Sequence, residues 1–194
     1  LGTVASAAVS ENIGWVERFN LTDAKKSRWL AAGLSDNNSV MSVQSDWQIL
    51  SDKGYILPVK YARLDGFRWN NDHCCVSIMV DNDGNMNESQ IRFGRTLDKA
   101  ALNAYAALLP SVKSPQPVDT GTGKVPPVVI TNFRTLAESG IDGNLTGELS
   151  GREVVISKDS NLLPPDPELL VGISVVPIGS ADKISVRLKL SNNI

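Results

Sequence analysis

Short segments in which apolar and polar residues alternate recur along the chain, and this period of two constrains the fold more than any other feature. The clearest example is ISVRLKL at residues 184–190, in which every second residue is apolar. Successive side chains on a strand point to opposite faces, so the pattern is typical of a strand with one buried face. Residues 41–49, 55–61 and 74–80 show the same alternation and are predicted to be strands as well.

Turn-forming residues separate these segments and predict that they pair as hairpins. Residues 51–54 (Ser-Asp-Lys-Gly), 81–85 (Asp-Asn-Asp-Gly-Asn) and 179–182 (Gly-Ser-Ala-Asp) have the composition of tight turns. Further strands are predicted at residues 90–93, 128–131, 153–157 and 169–178. Pro58 cannot donate a ladder hydrogen bond, so the strand over residues 55–61 has a free edge or a bulge there.

Only two segments have a helical pattern. The first covers residues 24–32. The second follows a potential cap at Thr96, has apolar residues spaced along one face, and ends at Pro110. Many short strands with two short helices predict a mainly β (α+β) chain, either an antiparallel β-sandwich or a jelly-roll-like domain.

The length of 194 residues predicts one domain. Residues 1–10 are small and apolar, and we interpret them as an N-terminal arm. Residues 110–127 are rich in Pro, Gly, Ser and Thr, and are predicted to form a long loop or arm. Loops of this length without secondary structure are uncommon in compact domains and are usually functional or disordered.

The bulk charge excludes a general electrostatic attraction to nucleic acid or to an anionic membrane, because the formal net charge is −2. No apolar run approaches the roughly 20 residues of a membrane span. The two cysteines, Cys74 and Cys75, are adjacent and would point to opposite faces of a strand, which makes a structural disulfide between them unfavourable. A cytoplasmic or virion location is therefore favoured over secretion.

No metal or cofactor site is predicted. Residues 72–75 (Asp-His-Cys-Cys) contain metal-binding types, but four consecutive residues do not converge on one ion. Residues 81–85 resemble the start of a calcium loop. With Asp81 at position 1, however, Met86 replaces the required Gly and Arg92 replaces the required Glu.

An Asp-Thr-Gly triplet begins at Asp119. It resembles the catalytic triplet of the aspartic proteases, and in the retroviral type each of two chains contributes one aspartate. The apolar strand that should precede the triplet is interrupted by Pro115 and Pro117. A flexible loop is therefore the preferred interpretation, and Asp119 is predicted not to be catalytic.

Cationic and aromatic residues interleave between residues 60 and 69, a composition that suits single-stranded nucleic acid through phosphate contacts and base stacking. The opposing interpretation places the aromatic rings in the core. The residues predicted to bind a ligand are Lys60, Arg63, Arg68, Trp69, Arg92 and Arg95.

These observations favour a non-enzymatic structural protein that self-associates through arms, such as a viral coat, phage tail-tube or filament subunit. We expect a homo-oligomer and no membrane partner. The alternative is a small binding module that uses the basic and aromatic residues for single-stranded nucleic acid. A retroviral-type aspartic protease is the least favoured interpretation.

Overall fold

The computed structural model describes residues 1–23, 25, 33–35, 37–165 and 167–190. Among the described residues up to residue 90, regular structure is sparse. This half contains helix α1 (Gly2–Ser6), a 3-10 helix (Val40–Asp46) that runs into α2 (Trp47–Asp52), and two very short strands. Strand β1 (Pro58–Val59) pairs antiparallel with β2 (Arg68–Trp69).

Regular elements dominate after residue 90. Helix α3 (Ile91–Leu108) is followed by a single 3-10 turn (Leu109–Ser111), and α4 (Pro127–Leu145) returns along it. Strands β3 (Leu149–Ile156) and β4 (Val171–Pro177) then form an antiparallel pair. Within the described residues, no helix is both long and apolar enough to span a bilayer.

The main core lies where α3 and α4 meet β3. Small residues of α3, Ala100 and Ala104, are fully buried and let α4 approach closely. At Gly140 the approach is so tight that a Cβ atom would lie 2.7 Å from the Asn103 carbonyl oxygen and 2.6 Å from the Ala107 Cβ. The remaining buried members of this core are Val125, Val129, Ile130, Phe133, Ala137, Ile141, Leu145, Val154 and Ile156.

The predicted β-sandwich or jelly-roll-like domain is wrong. The chain is a mixed α+β fold with 33% helix, 15% strand and two separate two-stranded sheets, so no layered pair of sheets exists among the described residues. Residues 41–49 are helical, because the Ser39 side chain accepts from the Met41 amide and starts a 3-10 helix there. Val40 is the only buried residue of that 3-10 helix. The alternating apolar residues that predicted a strand at 41–49 therefore do not form a buried face.

A second error concerns residues 128–131, which open α4 instead of forming a strand. Pro127 occupies the first turn of the helix, where its fixed φ is favourable and its missing N–H costs nothing. Val129 and Ile130 are buried on the inner side of the helix, whereas Val128 and Thr131 face outward and are exposed. Packing therefore overrides their strand preference.

Other predicted elements have mixed outcomes. The helix predicted from the spacing after Thr96 is confirmed as part of α3, and the strands at 153–157 and 169–178 overlap β3 and β4. Residues 73–90 contain only isolated bridges, His73 to Gln90 and Val80 to Met86. The strand predicted at 90–93 is wrong, because α3 begins at Ile91. The helix predicted at 24–32 falls, except for Lys25, outside the described residues.

The segments predicted to be arms make contacts within their own chain. In the first, Ala7 is buried beside Ile13 and Phe19. In the second, Val125 enters the main core, and the Asp119 amide donates to the Lys124 carbonyl at 3.0 Å to close a turn.

Candidate functional site

The six residues predicted to bind a ligand do not form one surface. Arg68 is buried, and its guanidinium donates hydrogen bonds to the backbone carbonyls of Val16, Asp65 and Gly66. These contacts join the loop over residues 65–68 to the N-terminal segment. Arg68 thus supplies backbone hydrogen bonds that a strand ladder would otherwise provide.

Trp69 and Arg95 also face the N-terminal segment. The Trp69 indole N–H donates to Thr3 Oγ1 at 3.1 Å, and the Arg95 guanidinium donates to the carbonyls of Ala7 and Ala8 at 2.9 and 3.2 Å. Both side chains hold residues 1–10 against the body of the protein.

Lys60 and Arg63 are the two predicted residues that are exposed. They line an open cavity of about 470 Å³ together with Tyr61 and Met41. The structure therefore brings a lysine, an arginine and an aromatic ring together in one loop. The other four predicted residues lie elsewhere.

Arg92 forms the centre of a buried polar cluster. Its Nε donates to Gln90 Oε1 at 2.8 Å, its Nη1 donates to Ser180 Oγ at 2.6 Å, and its Nε lies 3.8 Å from Asp72 Oδ2. Arg92 is 5% exposed and Asp72 is 0% exposed. Residues from three distant parts of the chain are thereby joined at the first turn of α3.

Asp72 caps α3 from a distance of twenty residues in sequence. Its Oδ2 accepts from the Arg92 amide at 3.3 Å, and its carbonyl accepts from the Ile91 amide at 2.8 Å. Burial raises the pKa of Asp72, and the nearby Arg92 charge and backbone amides only partly offset this. Its Oδ1 has no hydrogen-bond partner among the described residues, which adds to the cost of the ionised form.

An open cavity of about 590 Å³ lies beside this cluster. Arg92 lines it, together with Trp15, Tyr61 and the carboxylates of Glu11 and Asp182. The Glu11 carboxylate already accepts hydrogen bonds from the Ala8 amide and from Arg18. The Glu11 carboxylate is therefore engaged within residues 8–18, while Arg92 holds Ser180.

The Asp119 carboxylate is closed into its own turn. Its Oδ1 accepts from the Thr122 hydroxyl and from the amides of Thr122 and Gly121, all within 3.0 Å. These bonds, the Thr122 hydroxyl first, lower the pKa of Asp119. The carboxylate therefore serves as the hydrogen-bond acceptor of its own turn.

Cys74 and Cys75 are both free thiols. Burial raises the pKa of Cys74, which favours the protonated and less nucleophilic form. The described residues contain no group of three or more His, Cys, Asp and Glu side chains placed to hold a metal ion.

Large apolar side chains are exposed on two extended segments. Along residues 184–190 the four alternating apolar residues are 75–103% exposed. The hairpin over residues 76–86, closed by the Val80–Met86 bridge, exposes Ile78 (71%) and Met79 (65%). Monomeric proteins rarely expose contiguous apolar patches of this kind, which mark interaction surfaces.

A groove runs along the outer edge of β4, and we call it the β4 groove. It has a volume of about 360 Å³. Residues 173–177 of β4 form one side. Phe93 and Leu97 of α3, with Met86 and Glu88 of the hairpin, form the other. A strand edge that faces a helix across an apolar groove is suited to an extended peptide.

Comparison with known proteins gives no assignment: no family model, no curated protein and no solved structure matches the chain.

Sequence reasoning did not identify Asp72 or the β4 groove. One usable signal existed for Arg92 and Arg95, because cations are unfavourable at a helix N-terminus unless something else binds them. That signal depends on knowing that α3 begins at Ile91, whereas the predicted helix began after Thr96. No local pattern indicates the groove, since its two sides come from separate parts of the chain.

Proposed function

We propose that this chain is a non-enzymatic subunit of a self-assembling structure, such as a viral coat, a phage tail tube or a filament. The observation that carries the proposal is the amount of uncovered surface. The chain exposes 13677 Å², whereas a compact monomer of the same mass exposes about 9,000 Å². A standard protein interface buries about 1,200–2,000 Å² in total, so the excess of roughly 4,700 Å² provides for contacts with more than one neighbour.

The character of this surface supports the same function. Among the described residues, nine of the 27 exposed large apolar side chains lie on the 184–190 segment and the 76–86 hairpin, including the two most exposed after Leu1, Leu190 and Leu188. Extended elements of this kind reach neighbours in symmetric assemblies. The two segments thus offer exposed apolar side chains for contacts between copies.

The test is a measurement of mass against concentration. Sedimentation velocity from 1 to 100 micromolar, with negative-stain microscopy of the same samples, should give species well above the 20.9 kDa of one chain. Association through apolar surface should persist in 1 M NaCl, because salt screens charges but does not weaken apolar contacts. A monomer of 20.9 kDa throughout this range would overturn the proposal.

A second candidate function is single-stranded nucleic-acid binding at residues 60–65, favoured by the cavity that Lys60, Tyr61 and Arg63 share. The double variant Lys60→Gln/Arg63→Gln should lower the affinity for a labelled oligonucleotide and reduce its salt dependence. Lys113→Gln/Lys158→Gln removes the same charge from exposed positions elsewhere and should change neither. Equal affinities for the two double variants would exclude this site.

A further inference from the structure

The outer edge of β4 presents backbone groups with no ladder partner among the described residues. The Ser157 amide donates to the Leu170 carbonyl at 3.1 Å, so these two residues form a hydrogen-bonded pair that continues the β3–β4 ladder. Hydrogen-bonded and non-hydrogen-bonded pairs alternate in an antiparallel ladder. The amides and carbonyls of Val171, Ile173 and Val175 therefore point away from β3 and toward the open edge.

The side chains of these three residues point inward, where they pack against the main core. A strand added to the edge places each directly opposite residue on the same face as its partner. Every second side chain of an added strand would then enter the β4 groove, beside Met86 and Leu97. The groove consequently selects a strand with alternating apolar residues.

Residues 184–190 have that pattern and that length. The segment has seven residues with apolar side chains at every second position, and β4 is also seven residues long. Its other face is basic, with Arg187 and Lys189, and in the added strand this face lies on the outer side of the sheet. Glu153 lies on the same outer side, opposite Ser174 and one strand further. The segment therefore matches the edge in length, in apolar pattern and in the sign of the charge on its outer face.

The segment does not fold back onto its own β4. The turn that precedes it is anchored at the first turn of α3, where Ser180 accepts a hydrogen bond from Arg92 at 2.6 Å. Residues 178–182 line the cavity beside the Arg92 cluster and lie outside the β4 groove. After this anchor, Leu188 is 94% exposed.

We propose that residues 184–190 of one copy add as a third, antiparallel strand to the outer edge of β4 in a second copy. The occupant is a second copy because the segment and the groove are carried by the same chain and the excess surface exceeds what one interface covers. This inference rests on the self-assembly proposed above. It specifies which two surfaces meet in that assembly.

The first test uses proline to remove single ladder donors from a segment that is unpaired in the isolated chain. In the proposed pairing the amides of the apolar residues donate to β4, and those of the polar residues point away. Val186→Pro should therefore weaken association tenfold or more, because it removes a ladder donor. The matched control Ser185→Pro removes an outward amide one residue earlier and should change association by less than about threefold. Circular dichroism should show the same fold for both variants.

The second test is cross-linking between chains. In a Cys74→Ser/Cys75→Ser background, a Leu188→Cys protein is mixed with Val171→Cys, Ile173→Cys or Val175→Cys protein under mild oxidation. Facing residues of a hydrogen-bonded pair have Cα atoms about 5.5 Å apart, within disulfide range. At least one mixture should give a disulfide-linked heterodimer, and Lys189→Cys, which faces outward, should give none.

The outcomes separate this inference from the proposed function. If the parent protein assembles but Val186→Pro assembles equally well and no mixture cross-links, the strand pairing is wrong and self-assembly stands. A parent protein that stays monomeric overturns both. A Leu188→Cys/Val175→Cys double variant that closes a disulfide within one chain, without dimer, shows that the occupant is the same copy and overturns the exchange.

Discussion

Residues 1–90 and residues 91–177 reach their shapes by different means. The second region has two long helices and a strand pair around a continuous apolar core, whereas the first has a small apolar cluster centred on Ala7, Ile13 and Phe19. In the first region, side chains such as Arg68 and Asn70 bind backbone groups directly. Specific polar contacts thus replace both the regular ladder and much of the core.

This difference predicts how substitutions in each region affect stability. Apolar packing is spread over many contacts, so its loss depends on volume and fit. Where one polar side chain satisfies two buried backbone groups, its removal lowers the free energy of unfolding, because both groups are left unpaired. The two regions meet at the first turn of α3, where Asp72 and Arg92 contribute to both.

The largest expected effect comes from breaking that junction. Arg92→Met should lower the free energy of unfolding by about 3–5 kcal/mol at pH 7, because it leaves the buried Asp72 carboxylate without its counter-charge. Arg95→Met is the matched control. It removes a half-buried arginine that binds two carbonyls, and should cost about 1–2 kcal/mol. Urea unfolding measures both, and equal losses would contradict a special role for the Asp72–Arg92 pair.

The loss of stability in Arg92→Met should also depend on pH, which gives a second test of the Asp72–Arg92 pair. Burial already raises the pKa of Asp72, and loss of Arg92 should raise it further. A carboxyl group whose folded pKa is raised destabilises the fold when ionised, and this penalty is relieved as the pH falls through the folded pKa. The stability gap between parent and Arg92→Met should therefore narrow toward acid. A gap that stays constant down to pH 4 would show that Asp72 is not its source.

An intermediate effect is expected in the second region at Gly140. Gly140→Ala places a Cβ against the Asn103 carbonyl and should cost about 2–3 kcal/mol through overpacking of α3 against α4. Gly143 lies one turn further along α4 with nothing within 4 Å of its Cβ position. Gly143→Ala should therefore stabilise the helix by about 0.5–1 kcal/mol. Thermal unfolding of the two variants should move in opposite directions, and a shared sign would rule out the close contact.

The smallest effect is expected from Asn70→Ala in the first region. Asn70 accepts from the Leu57 amide and donates to the Tyr55 carbonyl, each at 2.9 Å. Its loss should cost about 1–2 kcal/mol and speed hydrogen exchange at Leu57, while amides in α4 keep their protection. Asn82→Ala, an exposed position in a turn, should change stability by less than about 0.5 kcal/mol. Faster exchange spread equally over α4 would contradict the separation of the two regions.

The sequence pattern predicted the second region better than the first. The apolar spacing after Thr96 and the β-branched runs of β3 and β4 indicated their elements, because those elements bury a face against one core. α4 was missed because Pro126 and Pro127 suggested a loop, although proline is favourable at a helix start. In the first region, Arg68 and Asn70 bind backbone groups that are distant in sequence, and local periodicity does not predict such contacts. Burial of Arg68 and Arg92, and hence the scattering of the predicted site, follows from those long-range contacts.

The attachment of residues 1–10 to α3 has a consequence for the order of events on the ribosome. Ala7 and Ala8 accept hydrogen bonds from Arg95, and Val9 accepts one from Thr96, across separations of 87–88 residues. At a synthesis rate of about 5–20 residues per second, these partners appear roughly 4–18 s later. Helices α3 and α4, in contrast, are neighbours in sequence and can pack as soon as both have emerged. Among residues 1–96, the segment that is synthesised first is therefore among the last to form its native contacts.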